Sequence, residues 1–128
     1  MKFIIDTHVL LWIANDDFRL SKNVKDIYLK PENEIIISIA SIWEMAIKIS
    51  IKKFKLQNSL AEFVEKHIID NNIRILKIEL EHLFLLENLP LHHRDPFDRL
   101  IVAQAKIEKA PIISTDVSFD RYAVKRIW

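Results

Sequence analysis

Phe3-Ile4-Ile5-Asp6-Thr7-His8-Val9-Leu10-Leu11-Trp12-Ile13 is the stretch on which the fold turns. Phe3-Ile4-Ile5 is a short apolar run with β-branched residues, the pattern of a strand buried on both faces. It stops at Asp6, and Val9 to Ile13 read as a helix running down to Asn15-Asp16-Asp17. An acid at the end of such a strand is a pointed feature, because open α/β sheets bind ligands at the carboxyl ends of their strands. For Asp6 alone, capping the following helix is an equally good explanation.

The same grammar recurs along the chain. Ser21 caps a short helix with Val24, Ile27, Tyr28 and Leu29, stopped by Pro31. Glu34 to Ser38 reads as a second strand, and Ile39 to Ser50 as a helix. Asn58 or Ser59 caps a helix with Leu60, Phe63, Val64, Ile68 and Ile69 on one face. Ile73 to Ile78 alternates apolar and basic residues, a third and more exposed strand. A short helix over Leu80 to Leu89 precedes Pro90. Pro111 to Asp116 is a fourth strand that again ends in an acid, Ser118 to Tyr122 a helical turn, and Val124 to Trp128 a fifth strand. Strands alternating with helices over short connections predict an α/β protein whose parallel sheet carries helices on both faces.

The bulk numbers bound the rest. The 128 residues make one domain, with 50% hydrophobic and 29% charged residues, the balance of a globular chain. A net charge of +1 excludes nucleic-acid binding by overall basicity and leaves room only for a local basic patch. Without cysteine there is no disulfide framework, thiolate zinc site or cysteine nucleophile, which fits a reducing cytoplasm. The first residues lack the apolar core of a signal peptide, and no uncharged apolar run is long enough to span a membrane. Glycine is absent altogether, which eliminates glycine-rich phosphate loops.

His92-His93-Arg94-Asp95-Pro96-Phe97-Asp98-Arg99 opens another helix, with Asp95 as N-cap, Pro96 as first helical residue and Asp98 three residues after the cap. By themselves these two acids are an acidic helix start. Glu44, between Trp43 and Met45, reads alone as a solvated helix edge with Lys48 as its ion-pair partner four residues on. In a parallel sheet, however, strand ends and helix N-termini share one rim. Asp6, Asp95, Asp98 and Asp116 then converge, and carboxylates so gathered repel one another unless a cation lies between them. A hard divalent ion with oxygen ligands, Mg²⁺ or Mn²⁺, is the economical partner, and metal-assisted phosphodiester hydrolysis the chemistry it favours.

Four motifs in order, Asp6-Thr7-His8-Val9-Leu10-Leu11-Trp12, Ser41-Ile42-Trp43-Glu44-Met45-Ala46, His93-Arg94-Asp95-Pro96-Phe97-Asp98-Arg99 and Thr115-Asp116 with Phe119 and Tyr122, resemble PIN-domain ribonucleases. The likeness is in particular to the VapC-type toxins of type II toxin–antitoxin pairs, and it covers nearly the whole chain. It implies a single PIN domain over residues 1–128, with a three-layer α/β/α fold and a central, mostly parallel sheet of about five strands. It also implies an Mg²⁺- or Mn²⁺-dependent endoribonuclease whose metal-binding acids are Asp6, Glu44, Asp98 and Asp116, with Asp95 an additional acid. Asp6 and Asp98 would be the main ligands, Asp116 a weaker or water-bridged one, and Glu44 and Asp95 would bind or orient water. In this reading Glu44 faces inward. A cognate antitoxin and a homodimer follow from the resemblance too, with RNA as substrate and the cytoplasm as location. Relatives often carry glycine before the fourth strand and after the tyrosine. Here those places read Lys109-Ala110-Pro111 and Tyr122-Ala123, a change of loop shape that removes no catalytic group.

Arg94, Arg99, Lys48 and the Lys52-Lys53-Lys55 stretch are the candidates to hold RNA phosphates. Trp12 and Trp43 have the faces to stack on a base, but their apolar helical positions point rather to the core. His92 and His93 read as a solvent-exposed loop pair, since Mg²⁺ prefers oxygen. Phe54 and Leu56 are candidates for an exposed patch that docks a partner helix or strand. An aspartyl-phosphate enzyme is disfavoured, because the second acid wanted two residues after the first is His8. A catalytically silent PIN-fold module that binds RNA or protein is the alternative.

Overall fold

The computed structural model describes residues 1–128 as a five-stranded sheet flanked by helices. In chain order the elements are β1 (Lys2–Ile5), α1 (Thr7–Ala14), α2 (Lys22–Leu29), β2 (Glu34–Ser38), α3 (Ile39–Ser50), α4 (Leu60–Val64), β3 (Arg74–Leu76), α5 (Leu80–Glu87), α6 (Pro96–Glu108), β4 (Ile112–Ile113) and β5 (Arg126–Ile127). A π turn over Glu65–Ile69 extends α4, and a 3₁₀ turn over Val117–Arg121 joins β4 to β5. The strand order is β3-β2-β1-β4-β5, and every neighbouring pair is parallel.

That order follows from crossover handedness. Right-handed β-crossover-β units run from β1 to β2 to β3 in one direction and then return past β1 to β4 and β5, so their helices fall on opposite faces. The strands show it residue by residue, because successive side chains of a strand point to opposite sides. Phe3, Ile5, Ile35, Ile37 and Ile113 join one core with Val9 and Leu10 of α1, Val24 of α2, Met45 of α3 and Phe63 of α4. Ile4, Ile36 and Ile112 join the other with Ile101, Val102 and Ala105 of α6. Three layers result, and the reversal of strand order lies between β1 and β4, which is where such sheets open their ligand crevice.

The expected helices form where their caps stand. Asp6, Ser21, Ser38, Ser59 and Asp95 each accept a backbone N–H from the first turn of α1, α2, α3, α4 and α6. The third, fourth and fifth strands are shorter than the sequence predicts: Arg74–Leu76 stands within the expected Ile73 to Ile78, Ile112–Ile113 within Pro111 to Asp116, and Arg126–Ile127 within Val124 to Trp128.

Absence of glycine leaves four other residues at positive φ, namely Asp16, Lys52, Asn72 and Lys109. Lys109, with φ 53° and ψ 43°, ends α6 in the left-handed conformation that glycine enters without a Cβ penalty. Lys109→Gly is expected to stabilise the protein by about 1 kcal/mol. A higher urea midpoint with unchanged slope checks this, and an unchanged or lower midpoint contradicts it.

Candidate active site

The register of β1 against β4 builds the centre of the site. Ile4 pairs with Ile112 and Ile5 with Ile113, which brings Asp6 beside Ser114 at the ends of the two strands. Asp6 is 6% exposed. One of its oxygens accepts the Val9 N–H at 2.9 Å as the cap of α1, and the other accepts the hydroxyl of fully buried Ser114. Asp6 therefore caps a helix and lines the cleft at once: one oxygen serves α1, and the carboxylate as a whole faces the cleft. Ser114 Oγ also accepts the Asp116 N–H at 2.9 Å, so a single hydroxyl ties the two strand-end acids together.

Glu44 comes from α3, which buries Ala40, Ser41, Glu44 and Met45 along one face. Glu44 is 9% exposed; it accepts the Thr7 hydroxyl at 2.9 Å, and Lys48 Nζ lies 3.2 Å away. The inward position and the i, i+4 ion pair coexist, because the side chain lies at the mouth of the cleft. Asp95 and Asp98 arrive on the first turn of α6, where Asp95 caps Phe97 N at 2.9 Å and Asp98 N at 3.4 Å. Asp116 accepts both the amide and the hydroxyl of Ser118. Asp6, Glu44, Asp95, Asp98 and Asp116 thus line one cleft of about 380 Å³, in which Lys48 is the one lysine or arginine and Trp12 the one hydrophobic residue.

Five carboxylates against one ammonium set the electrostatics. Burial raises the Asp98 pKa to about 7, with further push from Asp95, Asp6 and Glu44. Burial also raises that of Asp6, although its hydrogen bonds to Ser114 and Val9 pull the other way. For Asp116 burial is outweighed by hydrogen bonds from Ser118 and His93, which hold the carboxyl below its ordinary value. A cleft that keeps an acid half-protonated near neutral pH lacks positive charge, and its donors are carboxylate and hydroxyl oxygens, the set that suits a hard divalent cation. Asp6, Asp98, Glu44 and Asp116 fit the residues that would hold it.

The structure departs from the sequence reading at Arg99, at Trp43, at Phe54 with Leu56, and at His93. Arg99 does not line the cleft: its guanidinium donates to the carbonyls of Pro90 at 2.8 Å, Leu89 at 3.4 Å and Leu86 at 3.5 Å, and to the Tyr122 hydroxyl at 3.3 Å. It fastens the end of α5 and the loop before α6. Arg99→Ala is expected to cost about 2 kcal/mol, with Arg99→Lys failing to restore it because four acceptors need a fork of donors. Chemical denaturation reads this, and an Arg99→Ala protein as stable as the parent contradicts it. Trp43 is 55% exposed rather than in the core. Its edge meets the Phe97 ring at 5.1 Å, and it lies on the outer face of a helix that is apolar on both faces, which is why hydrophobicity alone misplaced it. Phe54 and Leu56 are half-buried against the first core, because the chain turns back after α3 through Lys52 at φ 60°.

The remaining basic candidates divide. Lys48 lines the cleft, whereas Arg94, Lys52, Lys53 and Lys55 are exposed and outside it. Trp12 is half-buried at the cleft wall. His92 is exposed as expected, but His93 is not a solvent-facing partner: its Nε2 stands 3.1 Å from oxygens of both Asp98 and Asp116. Sequence reasoning also missed Thr7, Ser114 and Ser118, whose only signal is a hydroxyl residue one or two places from a site acid.

A family model for the PIN domain matches residues 3–125. The chain belongs to the PIN domain family. Among solved structures the PIN fold seen here is similar to VapBC2 from Rickettsia felis, bound to a DNA fragment from its promoter, with 17% identity over 100% of this chain and 99% of that one and a TM-score of 0.74. FitAcB from Neisseria gonorrhoeae shares 18% identity over 98% and 96% of the two chains, TM-score 0.70. VapBC-1 from nontypeable Haemophilus influenzae shares 14% over 99% and 97%, TM-score 0.69. No curated protein sequence matches the chain. No helix of this PIN domain is long and apolar enough to cross a membrane.

Proposed function

We propose that this PIN domain is a divalent-metal-dependent endoribonuclease and the toxin of a toxin–antitoxin pair, working in the cytoplasm on RNA. The observation that carries the reading is the gathering of Asp6, Glu44, Asp95, Asp98 and Asp116 from four separate parts of the chain into one cleft at the carboxyl ends of β1 and β4. Bound Mg²⁺ or Mn²⁺ supplies a polarised phosphoryl oxygen and a more acidic water. The chain's own residues do the rest. Asp6 and Asp98 hold the ion, Asp116 supports it as a weaker ligand, and Glu44 and Asp95 accept hydrogen bonds from water in the cleft. Lys48, tethered to Glu44, offers its ammonium to a phosphate at the mouth.

The partner protein is proposed from the likeness to complexes solved as VapBC and as a toxin–antitoxin complex from Klebsiella pneumoniae. A homodimer is part of the same reading, and exposed apolar side chains on two helices, Ile39, Trp43 and Ile47 of α3 with Leu80, Leu83 and Phe84 of α5, support it.

The test is a mixed cellular RNA pool incubated with the purified, partner-free protein, with Mg²⁺ or Mn²⁺, with chelator, and with Asp6→Asn alongside. Discrete fragments that need the metal and vanish in the variant are expected. Cleavage that persists in chelator contradicts the proposal, and intact RNA with metal bound shifts it to the silent binding module.

A further inference from the structure

His8 lines the cleft, but His93 is the imidazole whose ring nitrogen lies against two of its acids, and its three polar contacts determine what it can do. The Asp95 N–H donates to its Nδ1 at 3.1 Å. A backbone N–H has no lone pair to offer, so Nδ1 is the acceptor and bears no proton. The ring proton therefore lies on Nε2, which is 3.1 Å from Asp116 Oδ2 in hydrogen-bonding geometry and 3.1 Å from Asp98 Oδ2. The side chain is 17% exposed, with its ring 6.2 Å from that of buried Phe119, so its direction is set from several sides.

The loop that carries His93 is itself fixed. The backbone N–H groups of His92 and His93 donate to the Tyr122 hydroxyl at 3.2 and 3.0 Å, and Arg99 donates to the same oxygen. Distances alone make His93, Asp98 and Asp116 a plausible ligand trio, since their donor atoms lie within 4.8 Å of one another. The tautomer rules against it: a nitrogen that carries a proton has no lone pair for a metal.

We propose that His93 is a positioning residue, held by the Asp95 amide as the Nε2–H tautomer, which orients Asp116 beside Asp98 and does not ligate the ion. Asp95 then acts twice on the site, through its carboxylate in the cleft and through its amide on the ring. Asp116 is gripped at both ends, by Ser118 on Oδ1 and by His93 on Oδ2, which leaves it one fixed direction. Partners of this kind commonly contribute 10- to 100-fold in metal affinity.

The part of this inference that concerns the ion rests on the metal reading above; the tautomer does not, and the two are measured separately. Long-range ¹H–¹⁵N correlation of the metal-free protein, with His93→Gln to assign the signals, is expected to show the His93 proton on Nε2. A proton on Nδ1, or on both nitrogens, overturns the proposal. Mn²⁺ alone is then titrated calorimetrically into the wild type, His93→Gln, whose amide supplies a donor at the same reach, and His93→Ala. Affinity close to wild type is expected for Gln and roughly 10- to 100-fold weaker for Ala. Electron-spin-echo spectra of the Mn²⁺-loaded wild type are expected to lack a directly bound nitrogen that is lost in His93→Gln. Such a nitrogen, or Gln as weak as Ala, makes His93 a ligand and overturns the proposal. No Mn²⁺ binding by the wild type defeats the metal reading instead, and leaves the nitrogen spectrum to decide the tautomer.

Discussion

Asp98→Asn is expected to lower metal-dependent RNA cleavage by roughly 10²- to 10⁴-fold, the several kcal/mol that a correctly placed ion contributes to a developing charge. The amide is nearly isosteric with the carboxyl but is neutral and a poorer ligand. The fold is expected to survive, because the Asp98 side chain caps nothing: the helix start it belongs to is capped by Asp95. Asp95→Ala is the instructive contrast. It removes the cap of α6 and is expected to cost about 1 kcal/mol of stability along with activity. Asp98→Asn is expected to raise stability at pH 8, since it relieves a charge that burial and the neighbouring acids Asp95, Asp6 and Glu44 oppose. Retained activity, or a protein less stable than the parent at pH 8, contradicts this.

The second large effect is the coupling of stability, pH and metal. The Asp98 pKa is raised to about 7 in the folded protein from 3.8. Between those values the folded state binds more protons than the unfolded one, so the unfolding free energy falls as pH rises. The metal-free protein is therefore expected to be more stable at pH 5 than at pH 8. The full gap in pKa corresponds to roughly 4 kcal/mol, reduced to a few by the partial exposure of the carboxyl. Asp6, raised by burial, works in the same direction. His67, lowered by burial and by Lys66, works in the opposite one from a half-buried place outside the cleft, and Asp116, held low, matters only in more acid solution.

Comparison with Asp98→Asn isolates the site: the two proteins are expected to have similar midpoints at pH 5 and to differ by several degrees at pH 8. Saturating Mg²⁺ is expected to remove the difference in slope, because an ion in the cleft needs Asp98 ionised. Its binding is expected to release close to one proton at pH 6 and little at pH 8.5. Calorimetry in buffers of different ionisation enthalpy reads that number directly. Equal proton release at both pH values contradicts the assignment.

The alternation of apolar runs and capped helices was enough to read the layers, because two-sided burial leaves a strand such as Ile35-Ile36-Ile37 no alternative face. Asp6 and Asp116 were readable for the same reason: an acid directly after a buried strand has only the sheet rim to occupy. Glu44 was not readable from its own surroundings. Its helix is apolar on both faces, so nothing local distinguishes the buried Glu44 from the exposed Trp43 beside it, and only the order of the four motifs pointed inward. His93 and Arg99 were misjudged because their partners are backbone groups, the Asp95 amide and the carbonyls of Leu86, Leu89 and Pro90, which carry no side-chain signal in a sequence. Ser114 escaped notice because its importance arises from register, and the pairing of Ile5 with Ile113 is a tertiary fact.

The measurement that bears most directly on the account follows Mn²⁺ binding and cleavage of single-stranded RNA in the same samples of wild type and Asp98→Asn, over one range of Mn²⁺ concentration. The account expects the wild-type rate to rise in step with occupancy of the cleft, and both signals to be lost together in the variant. Cleavage that saturates without Mn²⁺ binding, or that persists in the variant at the wild-type rate, would place the chemistry elsewhere than among these five acids.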